Sequence, residues 1–385
     1  MGRRYYAAGG RHSIGIVNRR LLCYNPPKVS RAPYLGTNVS PVTLTTSLPQ
    51  VCPKFDTGLF GNPFVCHVAT RPDSKRPGRI TNLPIHNYTV SDRPALVDFV
   101  ASQSDWGVAG SQLGRETFER VLGQPDLEPE RNCFVLEKSG AVEGFSLVFP
   151  EVTVGRAVIE VVAAAGSPEE MALLDLAVER TKEFHAHVAH VCVMEGSQRQ
   201  QTLEAYGFAR VQTYFEMVWD HETLPDVPLP SGFRVQAFQD GDESLLTKVQ
   251  NDAFTGSWGF CPNTVEQIEY RTRMPNTSQS GILFLLDGDT PAGHCWTVLN
   301  PVHGDIRGII GMVGVVPEYR GRGVSRSILH AGMSYLRTLD IADIGLEVDG
   351  SNAPAVGLYT STGFEKVGER YWFELGLAGT PAPER

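Results

Sequence analysis

The sequence predicts an α/β (α+β) fold made of two tandem units, because strand-like and helix-like segments alternate along it and the alternation repeats. Short apolar runs typical of strands are followed by longer stretches whose apolar residues recur at helical spacing. The segment Phe134–Leu136 recurs as Phe284–Leu286, and a glycine follows each of them. The segment Gly207–Val211 recurs as Gly363–Val367, 156 residues later. Two copies of one unit therefore account for most of the chain.

The first unit is predicted between residues 81 and 220. Its second and third strands flank the turn Lys138-Ser139-Gly140, as in a hairpin. Ser167 precedes the longest helix as an N-cap, and Glu169 and Glu170 lie in the first turn, where acidic side chains are favoured. In order, the predicted segments are strand 85–90, a helix beginning at 93–102, strands 133–136, 144–149 and 157–165, helix 168–185, strand 188–194, helix 198–206 and strand 207–219.

The second unit is predicted at residues 233–377, after a proline-containing linker at 221–232 and before a tail at 378–385. Asn352 is a plausible N-cap of its last helix, and Gly363 ends that helix. In order, the predicted segments are strand 233–235, helix 245–254, strands 282–286, 293–298 and 309–316, helix 324–339, strand 341–349, a short helix after residue 352 and strand 367–375.

Residues 1–80 differ from the rest in charge and pattern. They carry a net charge of +10, whereas the other 305 residues carry −19. They are rich in Pro and Gly and show little periodicity. Such a basic leader is compatible with a transit peptide or a nucleic-acid arm, but we favour a disordered extension or a start codon placed too far upstream.

Composition argues against several classes of protein. No apolar run approaches the ~18 residues that a membrane span needs, and a pI near 5.6 argues against a general nucleic-acid binder. Seven Cys without a CxxC pair indicate a reducing compartment, so we expect a cytoplasmic protein without a zinc ribbon. His185, His187 and His190 would not share one helix face, so we expect solvated histidines near a helix end and no metal site.

An anion-binding turn is predicted where an apolar strand runs into Gly321 and Gly323 and a helix begins. Converging backbone N–H groups and the helix dipole favour a phosphate at such a turn. The glycines let the backbone approach it without a Cβ, and two arginines add charge. The turn is neither a P-loop, because no Lys follows the glycines, nor a dinucleotide fingerprint, because position 326 is Arg. The predicted phosphate-binding residues are Arg320, Gly321, Arg322, Gly323, Val324 and Ser325.

This turn and the segment after it resemble the two motifs of the GNAT acetyltransferase superfamily. The phosphate motif, Arg/Gln-x-x-Gly-x-Gly/Ala, matches Arg320, Gly323 and Ser325, with Ser where Gly or Ala is usual. The second motif matches at full spacing at Asn352, Ala355, Leu358, Tyr359, Gly363 and Phe364. The resemblance implies two GNAT-like domains, each a mixed central sheet flanked by helices, and acetyl-CoA as co-substrate. It places the pyrophosphate on the 320–325 turn and adds Asn352 to the cofactor-binding residues.

The tandem layout, with its better motifs in the second unit, resembles mycothiol synthase and its relatives. In that family an acidic residue is expected on the strand before the phosphate turn, whereas residues 309–316 contain no carboxylate. The first unit has Ala-Gly-Ser-Pro-Glu-Glu at 165–170 in place of the arginine–glycine turn. Two carboxylates at that helix start would repel a pyrophosphate, so the first unit is predicted to be non-catalytic. It is then either a weak CoA binder or, as we favour, a scaffold and one wall of the substrate cleft.

Acetyl transfer to an amine needs a base for the amine proton, donors for the oxyanion and an acid for the leaving thiolate. By carry-over from the second motif, Tyr359 is the predicted acid. Glu347 is the predicted base, by its resemblance to the Glu of ribosomal-protein N-terminal acetyltransferases; Asp349 or a water chain is the alternative. Backbone N–H groups around Val315 and Val316 are predicted to bind the oxyanion and the pantetheine arm.

The resulting prediction is an N-acetyltransferase that moves an acetyl group from acetyl-CoA to a primary amine of a small molecule or peptide. A mycothiol-synthase-like enzyme and a protein N-terminal acetyltransferase are the enzymatic alternatives, and a non-catalytic acyl-CoA-binding module is the alternative of another class. Residues Ala253–Pro262 combine aromatic side chains with glycines, which suits a mobile cover over the acceptor or a core plug equally.

Overall fold

The computed structural model describes residues 83–103, 111–302 and 305–377. All of these residues belong to one of the two units into which the chain divides. The predicted extension, residues 1–80, and the predicted tail, residues 378–385, lie outside the described residues. Within the described part, no helix is long and apolar enough to span a membrane.

Strands and helices alternate along both halves of the described chain. The first half contains β1 (Ile85–Asn87), α1 (Arg93–Ser102), α2 (Gln112–Leu122), α3 (Pro129–Asn132), β2 (Cys133–Lys138), β3 (Ala141–Glu151), β4 (Arg156–Val162), α4 (Pro168–Glu183), β5 (Val188–Met194), α5 (Arg199–Tyr206) and β6 (Ala209–Trp219). The second half contains β7 (Phe233–Ala237), α6 (Glu243–Phe254), α7 (Val265–Thr272), β8 (Thr277–Asp287), β9 (Thr290–Val302), β10 (Asp305–Val315), α8 (Val324–Thr338), β11 (Ile344–Asp349), α9 (Ala353–Thr362) and β12 (Glu365–Gly376).

One mixed sheet of 12 strands joins the two halves, in the order β1-β2-β3-β4-β5-β12-β6-β11-β10-β9-β8-β7. The halves exchange their last strands: β12 of the second half pairs with β5 and β6, and β6 of the first half pairs with β11. The β4–β5 and β10–β11 pairs are parallel, and the other pairs are antiparallel. The two mixed sheets predicted for the tandem units are therefore continuous.

Helices cover both faces of this sheet. On one face, α4 packs over β2–β4 around Leu173 and Ala177, α8 packs over β8–β10 around Ile328 and Leu329, and α9 packs over β11. On the other face, α1 and α2 pack over β2 and β3, and α6 and α7 pack over β8 and β9 around Leu246. Exchange of β6 and β12 buries apolar residues of each half in the core of the other, which ties the halves together.

The predicted alternation of strands and helices is confirmed in both halves. Ser167 Oγ accepts from the N–H of Glu170 at 3.0 Å, and Gly363 ends α9 with a φ of +100°, as the capping pattern predicted. The sequence analysis missed α2 and α7, although Phe118, Val121 and Leu122 of α2 recur at helical spacing and are buried. The α7 start carries a signal that could have found it, since Thr264 and Gln267 form a capping box.

Candidate functional site

A cleft opens between the parallel strands β10 and β11. Their pairing is limited to Gly308 with Ile344 and Ile309 with Gly345, although β10 continues to Val315 and β11 to Asp349. The β9–β10 register shifts between Ile310 and Met312, which indicates a β-bulge in β10 at that point. Beyond the paired residues the two strands separate, and their facing peptide groups are left without a ladder partner.

The backbone of β10 presents alternate peptide groups to this cleft. The N–H of Val316 donates to the carbonyl of Ala292 at 3.0 Å, so it is engaged on the β9 side. Because successive residues of a strand alternate in direction, the peptide groups of Val315 and Val313 face the cleft. Of the two predicted donors, the Val315 N–H therefore faces the cleft, whereas the Val316 N–H is bound to β9. The N–H of Val313, which the sequence analysis did not name, also faces the cleft.

The glycine turn at the end of β10 forms an open helix N-terminus. Gly321 and Gly323 have φ values of +77° and +80°, which favour glycine, and open space surrounds the position of a Cβ at both. Gly323 is the N-cap of α8, and no side chain caps this helix start. Val324 is buried and anchors the first turn, while Ser325 is partly buried. Uncapped N–H groups and the helix dipole would favour an anion at this turn.

The two arginines of the turn have different surroundings. Arg320 donates from Nε to the carbonyl of Val315 at 3.2 Å and from Nη2 to the carbonyl of Ala253 at 2.9 Å. Its guanidinium therefore holds the turn against β10 and the end of α6. Arg322 is exposed, and its guanidinium lies 4.8 Å from the centre of the Tyr319 ring. Arg322 is thus the arginine of the turn whose charge faces solvent.

The corresponding turn of the first half is closed by its own carboxylate. Glu170, 1% exposed, accepts from the backbone N–H of Gly166 at 2.8 Å. Its oxygens also accept from Arg199 Nε at 2.5 Å and from the Thr202 hydroxyl at 2.9 Å. The carboxylate of Glu170 therefore occupies the N-terminus of α4, where the equivalent helix of the second half offers free N–H groups.

Tyr359 lies on α9, beside the cleft strand β11. It is 7% exposed, and its ring packs against Phe364 at 5.9 Å between ring centres. Burial raises the pKa of the Tyr359 phenol well above its ordinary value, and the nearby Cys295 thiol adds to the shift. The phenol is therefore protonated at neutral pH, as a proton donor must be. Asn352 caps α9, with Oδ1 accepting from the N–H of Ala355 at 3.2 Å.

Glu347 belongs to a buried group of charges that spans three strands. It lies directly opposite Glu216 of β6, and Arg370 of β12 reaches both carboxylates. Arg370 Nε is 2.6 Å from Glu216 Oε1 and 2.8 Å from Glu347 Oε1. The side chain of Glu347 is 22% exposed, whereas those of Glu216 and Arg370 are almost fully buried. Sequence reasoning missed Glu216 and Arg370, because the strand exchange brings them together.

Burial raises the pKa of Glu347 to about 8, and the neighbouring charge of Glu216 adds to this shift, while Arg370 opposes it. Burial also raises the pKa of Glu216, against the opposing effect of Arg370. A carboxyl that titrates near neutral pH suits a general base. The rival Asp349 accepts from the N–H of Ser351 at 2.8 Å and from Gln212 Nε2 at 3.2 Å, which ties it into the turn before α9.

The segment Ala253–Pro262 docks on the central strands of both halves. The Trp258 ring stacks on His190 of β5, with ring centres 5.4 Å apart and planes within 10°, and it also contacts Tyr214 and Trp372. His190 Nε2 is 2.9 Å from a carboxylate oxygen of Glu374. The expectation that His190 would be solvated near a helix end is wrong, because it is 4% exposed on a central strand.

A cavity of about 580 Å³, which we call the junction cavity, lies where this segment meets the first half. Its lining includes Glu151 and Arg180 from the first half and Gln250, Cys261, Arg271 and Met312 from the second. Met312 lies in the separated part of β10 and packs with α6, on the face opposite α8. Glu347 projects on that same face, since its neighbours Leu346 and Val348 pack on the α8 side. The cavity and the Glu347 carboxyl therefore share one face of the sheet at the cleft.

Metal-ligating side chains come together at one surface position among the described residues. His86, Asp92 and Glu137 have potential ligand atoms within 4.8 Å of one another. His86 Nε2 is 3.3 Å from Asp92 Oδ2, an ion pair near the first strand and remote in sequence from the cleft residues. Exposed clusters of this kind are common without an ion, so we assign no metal to it.

Comparison with known proteins places this architecture among acyltransferases. The model of the acetyltransferase (GNAT) family matches residues 244–364. The mycothiol acetyltransferase of Actinosynnema mirum is 30% identical over 209 residues, which cover 53% of this chain and 67% of that protein. The mycothiol acetyltransferase of Propionibacterium freudenreichii is 33% identical over 143 residues, which cover 37% of this chain and 46%, less than half, of that protein.

Solved structures share the fold of this chain at low sequence identity. A GCN5-related N-acetyltransferase from Sphaerobacter thermophilus has a TM-score of 0.58 and 19% identity, covering 78% of this chain and 96% of that one. A tandem GNAT protein from the clavulanic acid biosynthesis pathway has a TM-score of 0.54 and 14% identity, covering 78% of this chain and 99% of that one. The second comparison matches a tandem protein over nearly its whole length.

Proposed function

Because the chain belongs to the GNAT acetyltransferase family and has its tandem architecture, we propose that it transfers an acetyl group from acetyl-CoA to a primary amine. The observation that carries this proposal is the uncapped N-terminus of α8 at the end of the β10–β11 cleft. That arrangement offers an anion site for a pyrophosphate beside strand N–H groups for an extended amide arm. The first half, whose turn is closed by Glu170, serves as scaffold and as a wall of the acceptor cavity.

The cleft residues fit acetyl-CoA by their chemistry. Gly321, Gly323 and the first N–H groups of α8 would hold the pyrophosphate, with the Arg322 charge at its side. Arg320 would act by fixing the turn, because its guanidinium is bound to two backbone carbonyls. The peptide groups of Val313 and Val315 would bind the pantetheine arm and the oxyanion. Acetyl-CoA supplies the activated acyl group of the reaction.

Two protein side chains divide the proton transfers. Glu347 takes a proton from the attacking amine, whose nitrogen forms a bond to the acetyl carbonyl carbon. Val315 N–H stabilises the negative charge that develops on the carbonyl oxygen. When the carbon–sulfur bond breaks, Tyr359 gives its phenolic proton to the departing thiolate. The products are an acetamide and a free thiol, so atoms and charges balance.

A small-molecule amine is the acceptor that we favour. The relatives at hand are named for mycothiol, a small molecule, and the junction cavity of about 580 Å³ is of the size that ligand pockets have. Docking of Trp258 between both halves confines the acceptor side of the cleft. A mycothiol-synthase-like reaction is the specific form of this proposal that these relatives favour.

The decisive test is acetyl-CoA turnover against a panel of small amines and N-terminal peptides. Thiol release is followed with a colour reagent, and the acetylated product is identified by mass spectrometry. We expect release of one thiol for each acetamide formed, with small amines faster than peptides. Tight CoA binding without thiol release on any amine would instead identify a non-catalytic acyl-CoA-binding module.

A further inference from the structure

The arginines that line the junction cavity differ in how their charge is compensated. Arg131 Nη1 lies 3.1 Å from a Glu128 carboxylate oxygen, and Arg180 contacts the carboxylate of Glu183. Each of these two guanidiniums thus has an anionic partner inside the protein. Both residues come from the first half.

Arg271, from α7 of the second half, is the exception. Its Nη1 donates to the side-chain carbonyl of Asn263, a neutral partner, and no carboxylate of the described residues lies within 4.0 Å of it. The side chain is partly buried and lines the cavity. Burial lowers the pKa of Arg271 to about 10, so the guanidinium stays charged at neutral pH. A buried positive charge without a counter-charge is costly unless a ligand supplies one.

Two further polar side chains that line the cavity each have one buried polar atom without a hydrogen-bond partner. Gln250 is 2% exposed, its Nε2 contacts Met312 Sδ at 2.9 Å, and its Oε1 is buried without a hydrogen bond. The unpaired Oε1 is a hydrogen-bond acceptor, so it fits a hydroxyl or N–H group of a ligand and not its acidic oxygens. The indole Nε1 of Trp296 is likewise buried without an acceptor. Buried polar atoms in native proteins are normally paired, so unpaired ones around a cavity indicate a polar ligand.

From the Arg271 guanidinium and the Trp296 N–H, two donor groups that line the same cavity, we propose that Arg271, held by Asn263, binds an acidic oxygen group, a carboxylate or a phosphate, of the acceptor. The inference rests on the proposed function, because it describes the molecule whose amine is acetylated. The acceptor is then an amine that carries an acidic group at its other end. The planar fork of a guanidinium donates two parallel hydrogen bonds to such a group, which fixes its orientation as well as its charge. Arg271 is a specificity-determining residue in this arrangement, and Glu347 remains the base that takes the proton from the amine.

The test compares acceptors that differ only at the acidic group. Amino acids of increasing chain length are paired with their carboxamides, and phosphoethanolamine is paired with ethanolamine, so that the two pairs separate carboxylate from phosphate. A charge-assisted hydrogen bond makes us expect kcat/KM to be about tenfold to 100-fold higher for the acidic member of one pair. In Arg271→Gln this ratio falls towards one while kcat/KM for the neutral member is kept. Arg271→Lys retains part of the preference.

Arg131→Gln is the matched control, because it removes a cavity arginine whose charge is already compensated. The control should keep the preference for the acidic member. Equal rates of the wild-type enzyme on both members of every pair would overturn the proposal. Loss of rate on acidic and neutral members alike in Arg271→Gln, with the melting temperature lowered, would also overturn it, since Arg271 would then only hold Asn263 and its loop.

A binding measurement separates this inference from the proposed function. Inorganic phosphate, added with CoA at saturation, should raise the melting temperature of the wild-type protein and of Arg131→Gln, but not that of Arg271→Gln. This result without acetyl transfer to any amine would support the anion site and refute the proposed reaction. Acetyl transfer with equal phosphate effects in all three proteins would support the reaction and refute the anion site.

Discussion

Replacement of Glu347 by Gln tests the assignment of the base through its pH dependence. The structure places the pKa of this carboxyl at about 8, against an ordinary value of 4.5, mainly because of burial. A base with that pKa is about one-tenth ionised at pH 7 and about nine-tenths ionised at pH 9. The wild-type rate attributable to Glu347 should therefore rise about tenfold between these pH values.

The measurement is the ratio of kcat/KM for wild type over Glu347→Gln, with one acceptor amine from pH 6 to pH 10. Ionisation of the acceptor affects both proteins equally, so the ratio isolates Glu347. General base catalysis is worth roughly 10²–10⁴-fold, which sets the plateau of the ratio at high pH. The rate of Glu347→Gln should also rise with pH, because more of the acceptor is then neutral, but it should rise less than that of the wild type.

Glu216→Gln supplies the matched structural control. It removes the like charge opposite Glu347 and leaves Arg370 to a single carboxylate, so the pKa of Glu347 should fall and the midpoint of the profile should move to lower pH. A ratio that stays constant across pH would refute the assignment and point to a water chain or Asp349. An unchanged midpoint in Glu216→Gln would refute the electrostatic account of the three charges.

Three further predictions concern the turns and the acid. Gly323→Asp and Gly323→Asn are similar in size and both tolerate a positive φ, so isothermal titration should show much weaker CoA binding for Asp only; equal losses would place the pyrophosphate elsewhere. Glu170→Gln should leave CoA affinity unchanged. It should lower the unfolding free energy by about 1–3 kcal/mol, measured by urea denaturation, because Arg199 loses its partner. A second CoA site in that variant would contradict this prediction and show that the carboxylate alone excludes the ligand. Tyr359→Phe should lower kcat about 10²–10⁴-fold at every pH with CoA affinity kept, and full activity would show that the ring only packs.

The order of strands and helices could be predicted from sequence because it depends on local patterns. Apolar residues at helical spacing marked α8, and two of them, Ile328 and Leu336, are buried. The cap residues marked the start of α4. The glycine turn was predictable for the same reason, since Gly321 and Gly323 take backbone conformations that favour glycine. The internal repeat also predicted the tandem fold.

Contacts between distant strands were not predictable in this way. In sequence, β6 belongs to the first half and β12 to the second. Glu216 and Arg370 come close to Glu347 only because each of these strands pairs with strands of the other half. The same exchange places His190 beneath Trp258, where the sequence analysis expected a solvated side chain. The availability of Val315 N–H over Val316 N–H likewise depended on which neighbour strand each one faces.

The sequence by itself thus determined the repeated α/β units, the glycine turn after β10 and the family motifs around Tyr359. These features follow from residue types at fixed spacing, and such patterns depend only on residues that are close in sequence. Only the tertiary structure decided that one sheet is continuous through both halves, that Arg320 donates to backbone carbonyls, and that the pKa of Glu347 is raised. These depend on burial and on charges that lie more than 100 residues apart in sequence, as Glu216 and Arg370 do, and no local pattern records such distances.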